Sequence, residues 1–524
     1  MHHVLLVPEL QQLIFESLLP DINIEAIVFE RMDSVRRFFP AKQIRSALLN
    51  GALTCRAFRE AALNALWWAM EDLTPLFKLL SGYRLENVVR GPISNHECKI
   101  FFSYAARIKL LYFDGREQPL VPSYMRILAA SGRPSLLPSL KYLFCRANAP
   151  EIHFFPSTSL RALNISVLEH VCLEAEKEIH ALVDNLPNLC TRLIGLRLAH
   201  EMTEDCLRNL HGLQNLRYLE VENTMCEDRN EGDVKVIDNK IMNEITSLSQ
   251  LSRLEIAGDL EYQIRPPKGR PLHSLAMLKS LSFRADYNAK IQDFTGILCL
   301  AQFPMLESLD LSYFVIEEAQ DIYAFLQALT KATDRGSFHS LTMNSWRLAG
   351  MGNVSLAGCS DLLCLQLSSL DTNVFASLTT EDVAAMAIAW PNLKKLRIAP
   401  SINFAVLAEI AKQLPELRDL DVAMDKTTPD LTNTPVLSRP LQKLTLSKVT
   451  VAPAPNAIAL AQCIDMLFPD LQDLVVKGYT PTKSEKDCIA IVKALQKSRK
   501  DQQMRDAANG EQGKHSLAGR STLS

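Results

Sequence analysis

The stretch from Pro391 to Val422 states one structural unit twice, and that repetition constrains the fold more than any other feature of the chain. Leu393-x-x-Leu396-x-Ile398 recurs 24 positions later as Leu417-x-x-Leu420-x-Val422, and a proline stands two residues before each first leucine. Between the copies, Leu407, Ile410, Ala411 and Leu414 fall at helical spacing. A short strand followed by a helix cannot bury its apolar side alone, so successive copies must stack to make a core.

The same apolar-x-x-apolar-x-apolar pattern starts at Ile108, Leu140, Leu160, Leu193, Leu216, Leu251, Leu278, Leu306, Phe338, Leu362, Leu393, Leu417, Leu441 and Leu471. The spacing averages about 28 residues, inside the range of leucine-rich repeats. Helical patterns for the opposite side run over Leu173–Leu186, Ala319–Thr330, Glu381–Trp390 and Ala457–Phe468. Pro138, Pro304, Pro391, Pro415 and Pro469 mark the helix-to-strand switch, because proline cannot continue a helix and biases its predecessor toward extended geometry. The fold class expected is α/β: an irregular leucine-rich-repeat solenoid over residues 105–480, with a curved parallel sheet and helices on the convex side. It is irregular because the Asn or Cys that should follow each strand is nearly missing; Asn148 supplies it once. Cys226–Lys240, Gly258–Ser274 and Asp425–Pro440 read as surface loops, 481–497 as a capping helix, and the polar stretch 498–524 as disordered.

Composition narrows the function classes. A net charge of −3 with 22% charged residues gives no bulk basic character for nucleic acid. No apolar run approaches the ~20 residues that span a membrane. MHHVLLVPEL makes a poor signal peptide, and twelve cysteines without a CxxC pair read as reduced thiols in the cytoplasm or nucleus. GxSxG, GxxxxGK[ST], HExxH and GxGxxG are all missing, and the histidines are dispersed. The expectation is a protein that is not an enzyme and takes no metal or cofactor.

Residues 1–80 are different in kind. Leu10, Leu13, Ile14 and Leu18 make one face of a helix that opens with Pro8 and Glu9, leaving Phe15 off that face and uncovered. A second apolar block runs from Ala47 through Leu49, Cys55 and Phe58 to Trp67-Trp68. Such short helices have large residues to spare, and an apolar surplus points to a partner. Val7-Pro8, Ile14-Phe15, Cys55-Arg56-x-Phe58 and Leu66-Trp67 resemble an F-box, in the style of the F-box/leucine-rich-repeat proteins of mushroom-forming fungi. The block Pro20–Gln43, with its own helical text EAIVFERMDSVRRFF, is longer than the usual connection. The resemblance implies docking on a Skp-type adaptor, and through it on cullin, with Pro8, Leu10, Ile14, Phe15, Leu18, Leu49, Cys55 and Trp67 at or beside that interface. It further implies that residues 81–104 are a linker and that the repeats select a protein substrate for an SCF-type ubiquitin ligase. Three alternatives stand beside it: a plain helical cap on the solenoid, an interaction scaffold independent of any ligase, and a repeat protein that binds a small molecule, for which the concave face offers no basic, phosphate-suited cluster.

The strand positions that point away from the core form the concave surface, where such arrays bind. Tyr112, Tyr142, Phe144 and Tyr218 make its early part aromatic; Lys395 and Arg397 face Asp419 and Asp421 in its late part. These eight are the candidate substrate contacts. The early aromatics either pack under the linker that follows the F-box, which is the preferred reading, or form a hydrophobic docking patch.

Overall fold

The computed structural model describes residues 7–29, 32–83, 88–114, 121–145, 150–166, 173–199, 207, 209–223, 235–258, 260–263, 273–285, 289–348, 354–375, 377–424, 437, 441–447, 455–477, 486, 488–499 and 501–502. By its internal contacts the chain divides into two compact units, Met1–Ala289 with Asp293–Leu306, and Lys290–Gln292 with Glu307–Ser524.

The first unit opens with helices α1 (Pro8–Glu16), α2 (Ile24–Phe29), α3 (Lys42–Thr54) and α4 (Arg56–Leu66). Pro8 suits the first turn of α1, where its missing N–H costs nothing. Cys55, in extended conformation, ends α3 and starts α4, so the two helices fold back as a hairpin. Behind them runs a parallel ladder in chain order: β1 (Ala69–Met70), β2 (Leu110–Phe113), β3 (Tyr142–Cys145), β4 (Ala162–Ser166), β5 (Gly195–Ala199), β6 (Tyr218–Asn223), β7 (Arg253–Gly258) and β8 (Ser280–Ala285). The helical N-terminal segment thus supplies the first strand itself. The stretch expected as a linker holds a helix, Asn95–Ala105, whose N-terminus is closed by a capping box between Ser94 and Glu97. Glu97 accepts hydrogen bonds from Ser81 and Ser94, which lower its pKa to about 2.

The second unit continues the pattern with β9 (Ser308–Ile316), β10 (Ser340–Leu348), β11 (Ser369–Thr372), β12 (Lys395–Ile402), β13 (Asp419–Met424), β14 (Lys443–Ser447) and β15 (Asp473–Lys477), again parallel and in chain order. Helices Ala319–Ala332, Thr380–Ala389, Phe404–Gln413 and Pro455–Leu467 occupy the gaps.

Thirteen of the fourteen expected strand starts lie two residues before an observed strand. The Leu362 start is a correction: Leu362 lies in the short helix Ser360–Leu363, and the strand is β11, whose Leu370 is buried, with Leu367 buried two residues before the strand begins. Leu362 is still buried, so the apolar pattern was real but belonged to a helix. The insertions at Cys226–Lys240 and Gly258–Ser274 are also corrected where they are described, since Lys235–Asp238 pairs with Leu260–Gln263 in a small parallel ladder. Asn148, most of Asp425–Pro440, and residues 503–524 lie outside the described residues. Residues 488–499 are helical, so the helix expected to end at 497 runs on into the stretch expected as disordered, where 501–502 are helical too and Arg499 pairs with Asp465.

Candidate functional site

Three surfaces bear on function: the helical N-terminal segment and the outward strand faces of the two units. On α1 the expected orientation is reversed. Phe15 turns inward, edge-on to Phe58 at 5.9 Å between ring centres, with its rim where a Cβ on Gly51 would stand 3.0 Å away. Gln11 is buried, and Gln12 accepts a hydrogen bond from Asn64 Nδ2 at 3.2 Å. The reason is steric: Gly51 on α3 opens a notch that a phenyl ring fills, so α1 packs through Gln11 and Phe15 rather than through its leucines. Val7, Leu10, Leu13, Ile14 and Leu18 are exposed instead, Leu13 by 61%, and so are Leu49 and Leu53 of α3, Leu53 by 75%. Pro8 is exposed beside them, and Cys55 is half-buried at the α3–α4 bend. Trp67 is half-buried, packs on Tyr104 at 4.9 Å, and lines a cleft of about 360 Å³ with Leu66, Met70, Pro75 and the ion-paired Arg45 and Glu71.

The outward face of the first unit is occupied by the chain itself. Residues 22–39 lie across β1–β6: Ile27, Val28, Val35 and Phe38 are buried in one cluster with Leu110, Phe144 and Ala162, while Tyr112, Tyr142 and Tyr218 flank it half-buried. The register explains the seat. One outward row reads Leu110, Tyr142, Ala162, Gly195, Tyr218, Arg253 across adjacent strands, large, then small, then large. At its floor, a Cβ on Gly195 would meet Val28 Cγ2 at 2.4 Å, so only glycine admits α2 there. Asn164 Nδ2 donates to the Ile27 carbonyl at 3.1 Å, Phe38 stacks on Phe144 at 6.0 Å, and Phe29 meets Tyr218 edge-on at 6.5 Å. The four aromatic candidates thus pack with residues 22–29 and 34–39 of the helical N-terminal segment.

Charge closes the far edge of this seat. Arg253 pairs with Glu25 of α2 at 2.8 Å and lies 3.8 Å above the Phe29 ring. Arg197 meets Glu222 at 2.6 Å and Glu220 at 3.5 Å, and Arg284 pairs with Glu255. Glu220 is 2% exposed and its Oε2 has no hydrogen-bond partner. Burial pushes its pKa up to about 7, against the pull of Arg197.

Among the described residues, no segment fills the second unit's outward face in this way. Its two rows read Ser308, Ser340, Ser369, Lys395, Asp419, Lys443, Asp473 and Asp310, Thr342, Asp371, Arg397, Asp421, Thr445, Val475. The register sets Lys395 opposite Asp419 and Arg397 opposite Asp421. Arg397 is held between Asp371 and Asp421, each at 3.4 Å. Polar and charged side chains replace the aromatics, so nothing on these rows would seat an apolar helix.

Beneath both faces the inward positions form unbroken ladders. Leu111, Leu143, Leu163, Leu196, Leu219, Leu254 and Leu281 pair in turn across the first unit. Leu309, Leu341, Leu370, Leu396, Leu420, Leu444 and Leu474 do the same across the second. The chain has a leucine-rich-repeat fold. Its sequence matches no family model and no curated protein. Among solved structures, this leucine-rich-repeat chain overlaps an internalin from Listeria monocytogenes str. 4b F2365 at 13% identity, over 86% of this chain and 94% of that one, with a TM-score of 0.31. It overlaps the TLR13–ssRNA13 complex at 16% identity over 66% and 54%, TM-score 0.29. A leucine-rich-repeat protein of Leptospira interrogans overlaps at 17% identity over 61% and 79%, TM-score 0.28. The repeat class rests on the leucine register and not on these overlaps.

Among the described residues, no group of three or more His, Cys, Asp or Glu is arranged to hold a metal ion, and no helix is long and apolar enough to cross a membrane. Cys190 and Cys359 are free thiols, pushed up to about 12 by burial. The sequence reading missed the seat of residues 22–39. Its signals were present in the surplus of Ile27, Val28, Phe38 and Phe39 and in the glycine at strand position 195.

Proposed function

We propose that this leucine-rich-repeat protein recruits a protein partner on its repeats and presents it to a second protein bound at α1 and α3. In its finer form the proposal is a substrate-recognition subunit of an SCF-type ubiquitin ligase, with α1 and α3 docking on a Skp-type adaptor and through it on cullin. The observation that carries the reading is the set of exposed apolar residues along and flanking α1, Val7, Leu10, Leu13, Ile14 and Leu18, with Leu49 and Leu53 exposed on α3. A helix pair that keeps its phenylalanine inside and its leucines outside spends its best core material on a surface, which fits a permanent partner. The protein does no chemistry in this scheme; it raises the local concentration of one partner beside another. Leu10, Ile14, Leu18 and Leu49 contact the adaptor directly, Pro8 and Trp67 border that contact, and Phe15 and Cys55 hold the helices in place.

The test is co-purification with a Skp-type adaptor. Leu10→Ser/Ile14→Ser/Leu49→Ser removes exposed groups only, so folding should survive while adaptor recovery is lost. Equal recovery of wild type and triple variant would end the F-box reading, and failure of wild type itself to bind would favour a ligase-independent scaffold.

A further inference from the structure

The second unit carries a feature that neither the leucine ladder nor the adaptor helices use. Strands β9 and β10 are paired in register up to Ser312 and Asn344; the next pairs are Phe314 with Ser345 and then Val315 with Arg347. Each strand therefore has one residue outside the ladder, Tyr313 on β9 and Trp346 on β10. A bulge re-aims the side chain of the extra residue, and here both extra residues are large aromatics left 51% and 58% exposed. Tyr313 also has φ 66°, the one non-glycine residue with positive φ among the described residues. That conformation is strained for an L-residue, and such strain collects at binding sites. Burial of the ring does not offset it, since the ring stays in water.

The outward rows beside this pair are net acidic: Asp310 accepts a hydrogen bond from Ser312, and Asp371 shares Arg397 of the next strand with Asp421. The outward positions of β9, β10 and β11 are Ser308, Asp310, Ser312, Ser340, Thr342, Asn344, Ser369 and Asp371: two carboxylates and no cation. Over all seven strands the two outward rows hold five aspartates against Lys395, Arg397 and Lys443. Aromatic faces and carboxylates attract the same ligand, a lysine ammonium or arginine guanidinium. The first unit displays such a contact within the chain, where Arg253 lies over Phe29 and pairs with Glu25.

We propose that the bulge aromatics Tyr313 and Trp346, with Asp310 and Asp371, form the partner-recognition patch of this protein and bind a lysine- or arginine-bearing segment. The inference rests on the reading that the repeats recruit a protein, and it locates that recruitment in the second unit because residues 22–39 already fill the outward face of β1–β6.

The experiment uses the full chain labelled with 5-fluorotryptophan, the signal of Trp346 being assigned by Trp346→Phe. It is titrated with a short Gly/Ser peptide carrying lysines and arginines, with its glutamate counterpart, and with the uncharged version. The expected result is a shift of the Trp346 signal by the basic peptide at concentrations about fivefold or more below those needed by the other two. Asp310→Asn should weaken that response about threefold or more. Tyr313→Gly separates binding from folding: glycine accepts positive φ freely, so the thermal midpoint should hold or rise while affinity falls. Equal response to all three peptides, a response confined to other tryptophans, or full affinity in Tyr313→Gly would each overturn the proposal. Adaptor recovery should be unchanged in Tyr313→Gly. If wild type binds the basic peptide but not the adaptor, the ligase reading fails and this patch stands.

Discussion

The two units share one repeat and use its outward face in opposite ways. In the first, the outward rows carry Leu110, Tyr112, Tyr142, Phe144, Ala162, Gly195 and Tyr218 before they turn polar at Asn164, Arg197 and Glu220, and residues 22–29 and 34–39 cover the apolar part. In the second, the same positions hold Ser, Thr, Asp, Lys and Arg, and the exposed aromatics stand at bulges beside the rows. The inward leucines are the same in both, so the core does not decide which face closes. What decides is whether the outward rows offer apolar area in a seat of matching shape, because only removal of that area from water, roughly 25 cal/mol per Å², can hold a segment in place.

Four tests, built on seven substitutions, would break or sharpen this contrast. Val28→Asp places a charge in the buried seat and should cost about 4 kcal/mol in urea unfolding, whereas Ser340→Asp on the open face should stay within about 0.5 kcal/mol. Similar losses from both would mean the faces are not different in kind. Phe38→Ala, which strips the ring from Phe144, should cost about 3 kcal/mol, against less than about 1 kcal/mol for Trp346→Ala.

Glu220→Gln tests the charged edge of the seat. Burial raises the folded pKa of Glu220 to about 7 from the ordinary carboxylate value of 4.5. Its protonated form therefore contributes stability that is complete below pH 4.5 and is lost as the pH rises to about 7. The loss is at most about 3 kcal/mol, and the Gln variant should lack this slope and exceed wild type in stability above pH 7. A Gln variant with the wild-type pH profile would show that Glu220 titrates normally. Last, Arg253→Ala removes both the Glu25 pair and the Phe29 contact and should cost about 1–2 kcal/mol. Arg397→Ala on the more exposed face should cost no more than about 1 kcal/mol. A larger loss at Arg397 than at Arg253 would reverse the assignment of which network is structural.

Much of the fold could be read in the chain because the repeat is a local pattern. Leu393-x-x-Leu396-x-Ile398 specifies a strand and its inward face wherever it occurs, and the prolines mark where each strand begins. The pattern misled at Leu362, since a short helix can bury a leucine as well as a strand can. It also misled on α1, where the apolar stripe was taken for the buried face. Periodicity says that Leu10, Leu13, Ile14 and Leu18 share a side of the helix, but not which side meets the protein.

By itself, then, the sequence determined the leucine ladder, the helix-to-strand alternation and the polar character of the late strands, all of which follow from spacing within about 30 residues. Only the tertiary structure decided that residues 22–39 fill the first face, that Phe15 turns inward toward Gly51, and that Tyr313 and Trp346 stand together at paired bulges. Each of these joins residues far apart in the chain or depends on a single missing Cβ. Gly195 is separated from Val28 by well over a hundred residues, yet its missing side chain makes the seat, and no local pattern carries that information.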